Sequence, residues 1–190
     1  MKTYPSRLAM IQELPPGAIG VEVGVYRGDF SLEVLSHTQV SHLYLVDPWV
    51  RQADYKDTIN EEDQEGHMRE TLRKVTPFVD GRRCSVIRGF SAKVANDNTH
   101  IPLLDFAFID AYHAYEAALE DITLWSKRLT PQGIIFAHDA FDGPKYGHQG
   151  HAWYSGVLKA IDEFMKNSPE WKFVAITTED LPTAKLERKK

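Results

Sequence analysis

Polar side chains end nearly every apolar run of this chain that reads as a strand: Glu22, Asp47, Arg88, Asp110 and Asp139. In open α/β sheets, ligands bind beyond the carboxyl ends of the strands, where the strand order reverses. Residues at those ends are therefore the ones placed to do chemistry. Asp47 can accept both hydroxyls of a ribose, or, with Pro48 after it, form a simple turn. Gly24 and Gly28 bracket a turn behind Glu22, and a backbone without Cβ bends sharply and lets a ligand reach its N–H groups. Asp110 with His113, and His138 with Asp139, set an imidazole beside a carboxylate at two further strand ends. A polar pair directly after Gly133-Ile134-Ile135-Phe136-Ala137 is costly to bury without partners, so it implies an exposed site.

The elements that position these groups follow from apolar spacing. Ile19, Val21 and Val23 read as a short buried strand, and Phe30, Val34 and Leu35 as the helix after the glycine turn. Tyr26 stands where a dinucleotide fingerprint needs its second glycine, and no Lys-Ser/Thr follows Gly28 as a P-loop requires. Leu43 to Asp47 is a second strand, Arg51 to Asn60 a polar loop, and Glu61 to Thr76 a helix stopped at Pro77. Cys84 to Arg88 is a third strand, after which Gly89 permits a turn and Ser91 suits a helix N-cap. Leu104 to Asp110 is a fourth, central strand. Tyr115, Ala118, Leu119, Ile122, Trp125 and Leu129 form the clearest helical stripe, and Thr130 to Gly133 turns it into a fifth strand, Gly133 to Ala137. A helix over Ser155 to Asn167 and strands over Lys172 to Thr177 and Thr183 to Glu187 close the chain.

Residues 1–17 read as an N-terminal helical extension, with a helix over Ser6 to Leu14. Phe141 to Tyr154 reads as a binding lid or a surface loop, rich in glycine and aromatics. His148-x-x-His151 within it is a weak zinc pattern.

The chain has 190 residues, 43% hydrophobic and 26% charged, which suits one well-cored soluble domain. A formal net charge of −5 argues against a nucleic-acid partner, since binding phosphates needs a basic face. A single cysteine, Cys84, excludes an intramolecular disulfide. The sequence shows no signal peptide or apolar membrane-spanning run, so a cytoplasmic enzyme without a membrane partner is expected. A homodimer stays open.

The run from Ile19 to Gly28 resembles the first motif of class I S-adenosylmethionine-dependent methyltransferases. Its Glu-x-Gly-Val-Tyr-x-Gly form resembles the branch of small O-methyltransferases related to macrocin O-methyltransferase. Asp110-Ala111-Tyr112-His113-Ala114-Tyr115-Glu116 is similar to the Ile-Asp-Gly-x-His-x-Tyr-Glu motif of that branch, with Ala111 in place of glycine, and His138-Asp139 matches its His-Asp. The resemblance implies a Rossmann-like, doubly wound α/β fold: a mostly parallel, seven-stranded sheet with helices on both faces and its last strand antiparallel. It implies S-adenosylmethionine as cofactor, with Glu22, Gly24, Val25, Tyr26 and Gly28 around the amino-acid end. Asp47 would then read the ribose, Trp49 pack beside the adenosine, and Gly89, Phe90 and Ser91 approach the adenine, with Asp110 and Ala111 completing the site.

Metal-dependent members of the branch hold a divalent ion on carboxylates matching Asp110 and Asp139, and oxygen ligands suit Mg²⁺ or Ca²⁺. Ala140 departs from the further Asp or Asn of those members, and Asp142 could substitute. Methyl transfer requires the acceptor hydroxyl to lose a proton, with His113 the first candidate base, His138 the second, and Asp139 beside them. A sugar hydroxyl, a phenol, a carboxylate or a nitrogen of a small molecule all stay open as acceptor. The rival readings are an NAD-dependent oxidoreductase and a nucleoside-binding protein that has lost catalysis.

Overall fold

Lys2–Tyr4 (β1) starts the chain, and Ser6 caps the helix α1 (Arg7–Ile11), its Oγ accepting the Ala9 amide at 3.1 Å. The structure is a computed structural model and describes residues 1–53, 58–97, 100–141, 143–146 and 152–189. Strands and helices then alternate: β2 (Ile19–Val23), α2 (Asp29–His37), β3 (His42–Asp47), α3 (Gln64–Asp80), β4 (Cys84–Arg88), α4 (Ser91–Asp97) and β5 (Leu104–Ile109). They continue through α5 (Tyr115–Ser126), β6 (Leu129–Ala137), a hairpin of β7 (Gly143–Tyr146) and β8 (Ala152–Ser155), α6 (Val157–Asn167), β9 (Trp171–Thr177) and β10 (Ala184–Arg188).

The main sheet runs β1-β9-β10-β6-β5-β2-β3-β4, with β10 antiparallel to both of its neighbours and the other pairings parallel. The order reverses between β2 and β5, the place where such sheets open a ligand crevice. Period-two alternation sends the side chains of β5 to two cores. Phe106 and Phe108 join Phe30, Val34, Leu35 and Val75 on one face, and Ala107 and Ile109 join Ile122, Trp125 and Phe164 on the other. Fully burying each such Phe or Leu stabilises the fold by about 1.5–3 kcal/mol. The expected doubly wound Rossmann-like fold is therefore the one observed.

Four expectations are corrected. The sheet has eight strands rather than seven, because β1 adds to its edge in parallel register with β9, Lys2 opposite Ala175. The N-terminal extension is thus part strand, and its helix is only Arg7–Ile11. α3 continues past Pro77 to Asp80, since a proline in the last turn forfeits a single amide bond while the Gly81 amide still reaches the Pro77 carbonyl. Thr130 to Gly133 belongs to β6 rather than to a turn, because Leu129 pairs with Leu104 and Arg188 Nη1 donates to the Thr130 carbonyl.

Asp142, His148 and His151 of the expected lid lie outside the described residues. No helix among the described residues is long and apolar enough to cross a membrane.

Candidate active site and cofactor cavity

β2 delivers Glu22 and then Gly24, whose φ of +85° lies in the left-handed region. A Cβ there would stand 2.0 Å from the Asp110 carbonyl oxygen, so only glycine lets the loop cross the end of β5 this closely. Asp47, at the end of β3, holds the loop from the other side. Its Oδ2 accepts the amides of Val25 (2.9 Å) and Tyr26 (3.1 Å), and its Oδ1 accepts that of Trp49 (2.7 Å). Tyr26 and Trp49 both sit at positive φ, 55° and 41°, a cost these bonds help to offset.

Glu22 is buried, and Ser31 Oγ donates to its Oε2 at 2.6 Å. Burial pushes its carboxyl up to about 8, against the pull of the Ser31 hydroxyl. Arg7 enters from α1: its guanidinium lies over the Phe30 ring, 4.5 Å from the centroid, and its backbone amide is held by Glu179 at 2.7 Å. These groups, with Gly24, Val25, Tyr26 and Asp47, line a cavity of about 370 Å³. Phe90, Ser91, Ala111 and Asp121 line its opposite end, within the size range of small-molecule sites.

At the β5 and β6 ends, four titratable side chains converge. His113 Nε2 lies 3.2 Å from Asp110 Oδ1 and 2.9 Å from Asp139 Oδ2. His138 Nδ1 lies 3.3 Å from Asp110 Oδ1 and 3.1 Å from Asp139 Oδ1. Burial lowers the pKa of His113, but its bonds to Asp110 and then Asp139 outweigh this and lift it to about 10. His138 is drawn down by burial and up by the Asp110 charge, to about 9. Arg7 opposes a second proton on His138: its Nη1 stands 3.0 Å from Nε2, and a guanidinium can only donate. In its neutral form, therefore, His138 keeps the lone pair on Nε2 and the proton on Nδ1, facing the carboxylates. Both carboxyls are held below the usual range: against the opposing effect of burial, Asp110 chiefly by the His138 charge and Asp139 by its bond to His113.

Donor atoms of Asp110, His113 and Asp139 lie within 4.8 Å of one another, and Asp139 Oδ1 is buried without a hydrogen bond among the described residues. Two carboxylates, one of them with an orphaned oxygen, and an imidazole fit a divalent cation, and the mixed O and N donors suit Mn²⁺ or Zn²⁺ better than Ca²⁺. Asp139 has φ of +55°, a strained backbone that points its carboxylate into this cluster.

Several expected residues stand elsewhere. Trp49 does not flank the cavity: it is buried in the core, and its Nε1 donates to the Tyr26 carbonyl at 2.8 Å, so it braces the glycine loop from behind. Gly28 starts α2 with φ of +72°, outside the cavity lining. Gly89 lines a neighbouring shallow groove with Arg88 and Lys93. The Ser91 hydroxyl does not cap α4. It donates to Asp121 and accepts from Trp125 Nε1 at 2.9 Å. His138 and Asp139 back the cluster without lining the cavity, and Ala140 is packed in the core.

Sequence reasoning missed Arg7 and Asp121. Asp121 left a signal, a carboxylate on the buried stripe of α5 between Ala118 and Trp125. Arg7 left none, because β1 pairing with β9 is what brings it to the site.

A doubly wound sheet with a glycine loop after its first central strand, and acidic residues at the ends of the next strands, defines a class I S-adenosylmethionine-dependent methyltransferase. Residues 21–140 match the family model described as a methyltransferase domain, and the chain belongs to that family. This sets aside the oxidoreductase reading.

SMU.1697c from Streptococcus mutans, solved in complex with SAH, is similar over 94% of this chain and 93% of its own, with a TM-score of 0.62 and 14% identity. The B. subtilis m1A22 tRNA methyltransferase TrmK is similar over 98% of this chain and 67% of its own (0.60, 16%). The precorrin-6y C5,15-methyltransferase of Geobacter metallireducens is similar over 96% and 86% (0.60, 14%). Identities this low show a shared fold. No curated protein matches the sequence.

Proposed function

We propose that this enzyme transfers the methyl group of S-adenosylmethionine to a hydroxyl oxygen of a small molecule, in the manner of the macrocin-type branch. The observation that carries this reading is the position of His113 Nε2, between Asp110 and Asp139 and on the wall of the cavity that holds the glycine loop. The transfer is an in-line displacement, so holding the two reactants in register supplies most of the rate.

Arg7 presents a positive charge at one end of the cavity, complementary to an amino-acid carboxylate, while Glu22, held protonated at neutral pH by burial, ionises when an ammonium comes beside it. Asp47 Oδ1 carries one amide bond and keeps capacity for a ribose hydroxyl. His113 takes the acceptor proton, and Asp110 and Asp139 stabilise the imidazolium that results. That same pair keeps His113 protonated at neutral pH, with its pKa near 10, so it must first release its own proton. In the alternative way of activating the acceptor, Asp110 and Asp139 would hold a divalent cation with His113 as a third donor and no longer the base, and the cation would polarise the acceptor hydroxyl. His138, its Nε2 engaged by Arg7, orients the carboxylates.

A nucleic-acid acceptor is the second reading, favoured by the likeness to a tRNA methyltransferase and opposed by the net charge of −5. Methyl-labelled S-adenosylmethionine, offered with a panel of sugars and phenols and with bulk tRNA, tests both. Label in a small molecule, lost in His113→Ala, supports the proposal. Label in tRNA alone overturns it.

A further inference from the structure

The amino end of α6 touches both strand-end segments that carry the acceptor chemistry. Ser155, the last residue of β8, is fully buried. Its hydroxyl donates to the Asp139 carbonyl at 2.7 Å and accepts the Val157 amide at 3.2 Å. With its one proton committed, that hydroxyl has a single orientation. The next amide, of Gly156, donates to the His113 carbonyl at 2.9 Å. A Cβ on Gly156 would stand 2.8 Å from the Tyr115 amide nitrogen, so glycine is what seats α6 this close to the His113 segment.

Two adjacent residues thus grip the backbones of His113 and Asp139, whose side chains meet at 2.9 Å. The grip has a fixed base, because Val157, Ala160, Ile161 and Phe164 set α6 into the same core as Ile122 and Trp125. Asp139 needs such a hold. Its φ of +55° is strained for a residue with a side chain and persists only where neighbours over-determine it. The Phe141 amide also reaches the Asp139 carbonyl, at 2.7 Å, and the Ala140 amide reaches the Pro182 carbonyl at 2.8 Å. Of these three bonds, only the one from Ser155 comes from a side chain. We infer that Ser155 is a positioning residue for the methyl transfer, its hydroxyl holding Asp139 in the turn that sets its carboxylate on His113. Gly156 holds the other partner of that pair. The inference deepens the role proposed above for His113 and rests on it.

The test is proton NMR of the intact chain in EDTA. An imidazole N–H held by carboxylates resonates far downfield and exchanges slowly with water. The wild type should show this signal for His113, identified by its absence in His113→Ala. In Ser155→Ala the signal should shift and exchange about 10-fold faster, as in Asp139→Ala, the change expected for one hydrogen bond. Affinity for S-adenosylhomocysteine should stay within about a factor of two, since Ser155 lies outside the cavity lining. Should that variant fail to fold, Ser155→Cys fills the same space with a weaker donor and should show the same change. A residue that only caps α6 would leave the signal in place, so an unchanged signal in a folded variant overturns the inference. A wild type without the signal overturns it as well. The role of His113 is read separately: a His113→Ala variant that still labels the small-molecule panel overturns that reading, while the signal continues to report the geometry.

Discussion

Arg7 Nη1 lies 3.0 Å from His138 Nε2, so a helix near the N-terminus touches the end of β6, 131 positions further along the chain. The same guanidinium is 3.6 Å from Asp110 Oδ2 and lies over Phe30. β1, paired with β9, holds α1 where Arg7 can reach. The N-terminal segment is therefore a wall of the site.

Replacing Arg7 removes a charge from the cavity with little change in the core. Arg7→Met should weaken binding of S-adenosylhomocysteine by about 1.5–3 kcal/mol, the range for a hydrogen bond to a charged group. Calorimetry with 5′-methylthioadenosine, which has no carboxylate, provides the control. Its affinity should stay the same. An equal loss for both ligands would show that Arg7 only supports the fold.

Asp47 joins two roles that separate experimentally. Its carboxylate accepts three backbone amides, so Asp47→Ala should lower the stability of the free protein by about 2–3 kcal/mol. Asp47→Asn keeps acceptor capacity in one oxygen and should cost less. Denaturant melts of the two variants check the order, and equal stability of Asp47→Ala and wild type would contradict it.

Glu22 should leave a mark on the pH dependence of stability. Its folded pKa, about 8, is raised from 4.5 chiefly by burial. Below the unfolded value, both states hold the proton and nothing is lost. Between the two values the unfolded chain releases its proton while the folded chain keeps it, so stability falls as pH rises and the loss is complete above the folded pKa. Glu22→Gln carries no charge, and its stability relative to wild type should climb from about pH 5 to about pH 9. Parallel curves would mean that Glu22 ionises freely in the fold.

A chelator separates the two ways of activating the acceptor. With a cation on Asp110 and Asp139, EDTA should abolish methyl transfer and Mn²⁺ or Mg²⁺ restore it, while Asp139→Ala leaves cofactor affinity within about a factor of three. Full activity in EDTA, with a large loss in His113→Ala, would assign the chemistry to the imidazole alone.

The parallel strands were legible because each is an apolar run of β-branched and aromatic residues ending in a polar one. The alternation of Phe106 and Phe108 with Ala107 and Ile109 even divides the two faces. β1 was not legible, since three residues at a sheet edge are too few to show a period. Among site residues, the meeting of Asp110, His113, His138 and Asp139 could be read from strand ends alone. The use of Asp47 and Trp49 could not, because it depends on where the loop turns its amides and carbonyl. Asp121 sat in view as a charge on a buried stripe, with nothing local to say which cavity it faced.

A crystal structure with S-adenosylhomocysteine bound tests the arrangement most directly. The ligand should lie in the cavity between the glycine loop and Phe90, with its amino-acid end at Glu22 and Arg7. Its sulfur should face His113, on the side where Asp110 and Asp139 meet. A ligand lodged instead in the groove along Arg88 and Lys93, or one whose sulfur faces away from His113, would contradict the assignment of this site to methyl transfer.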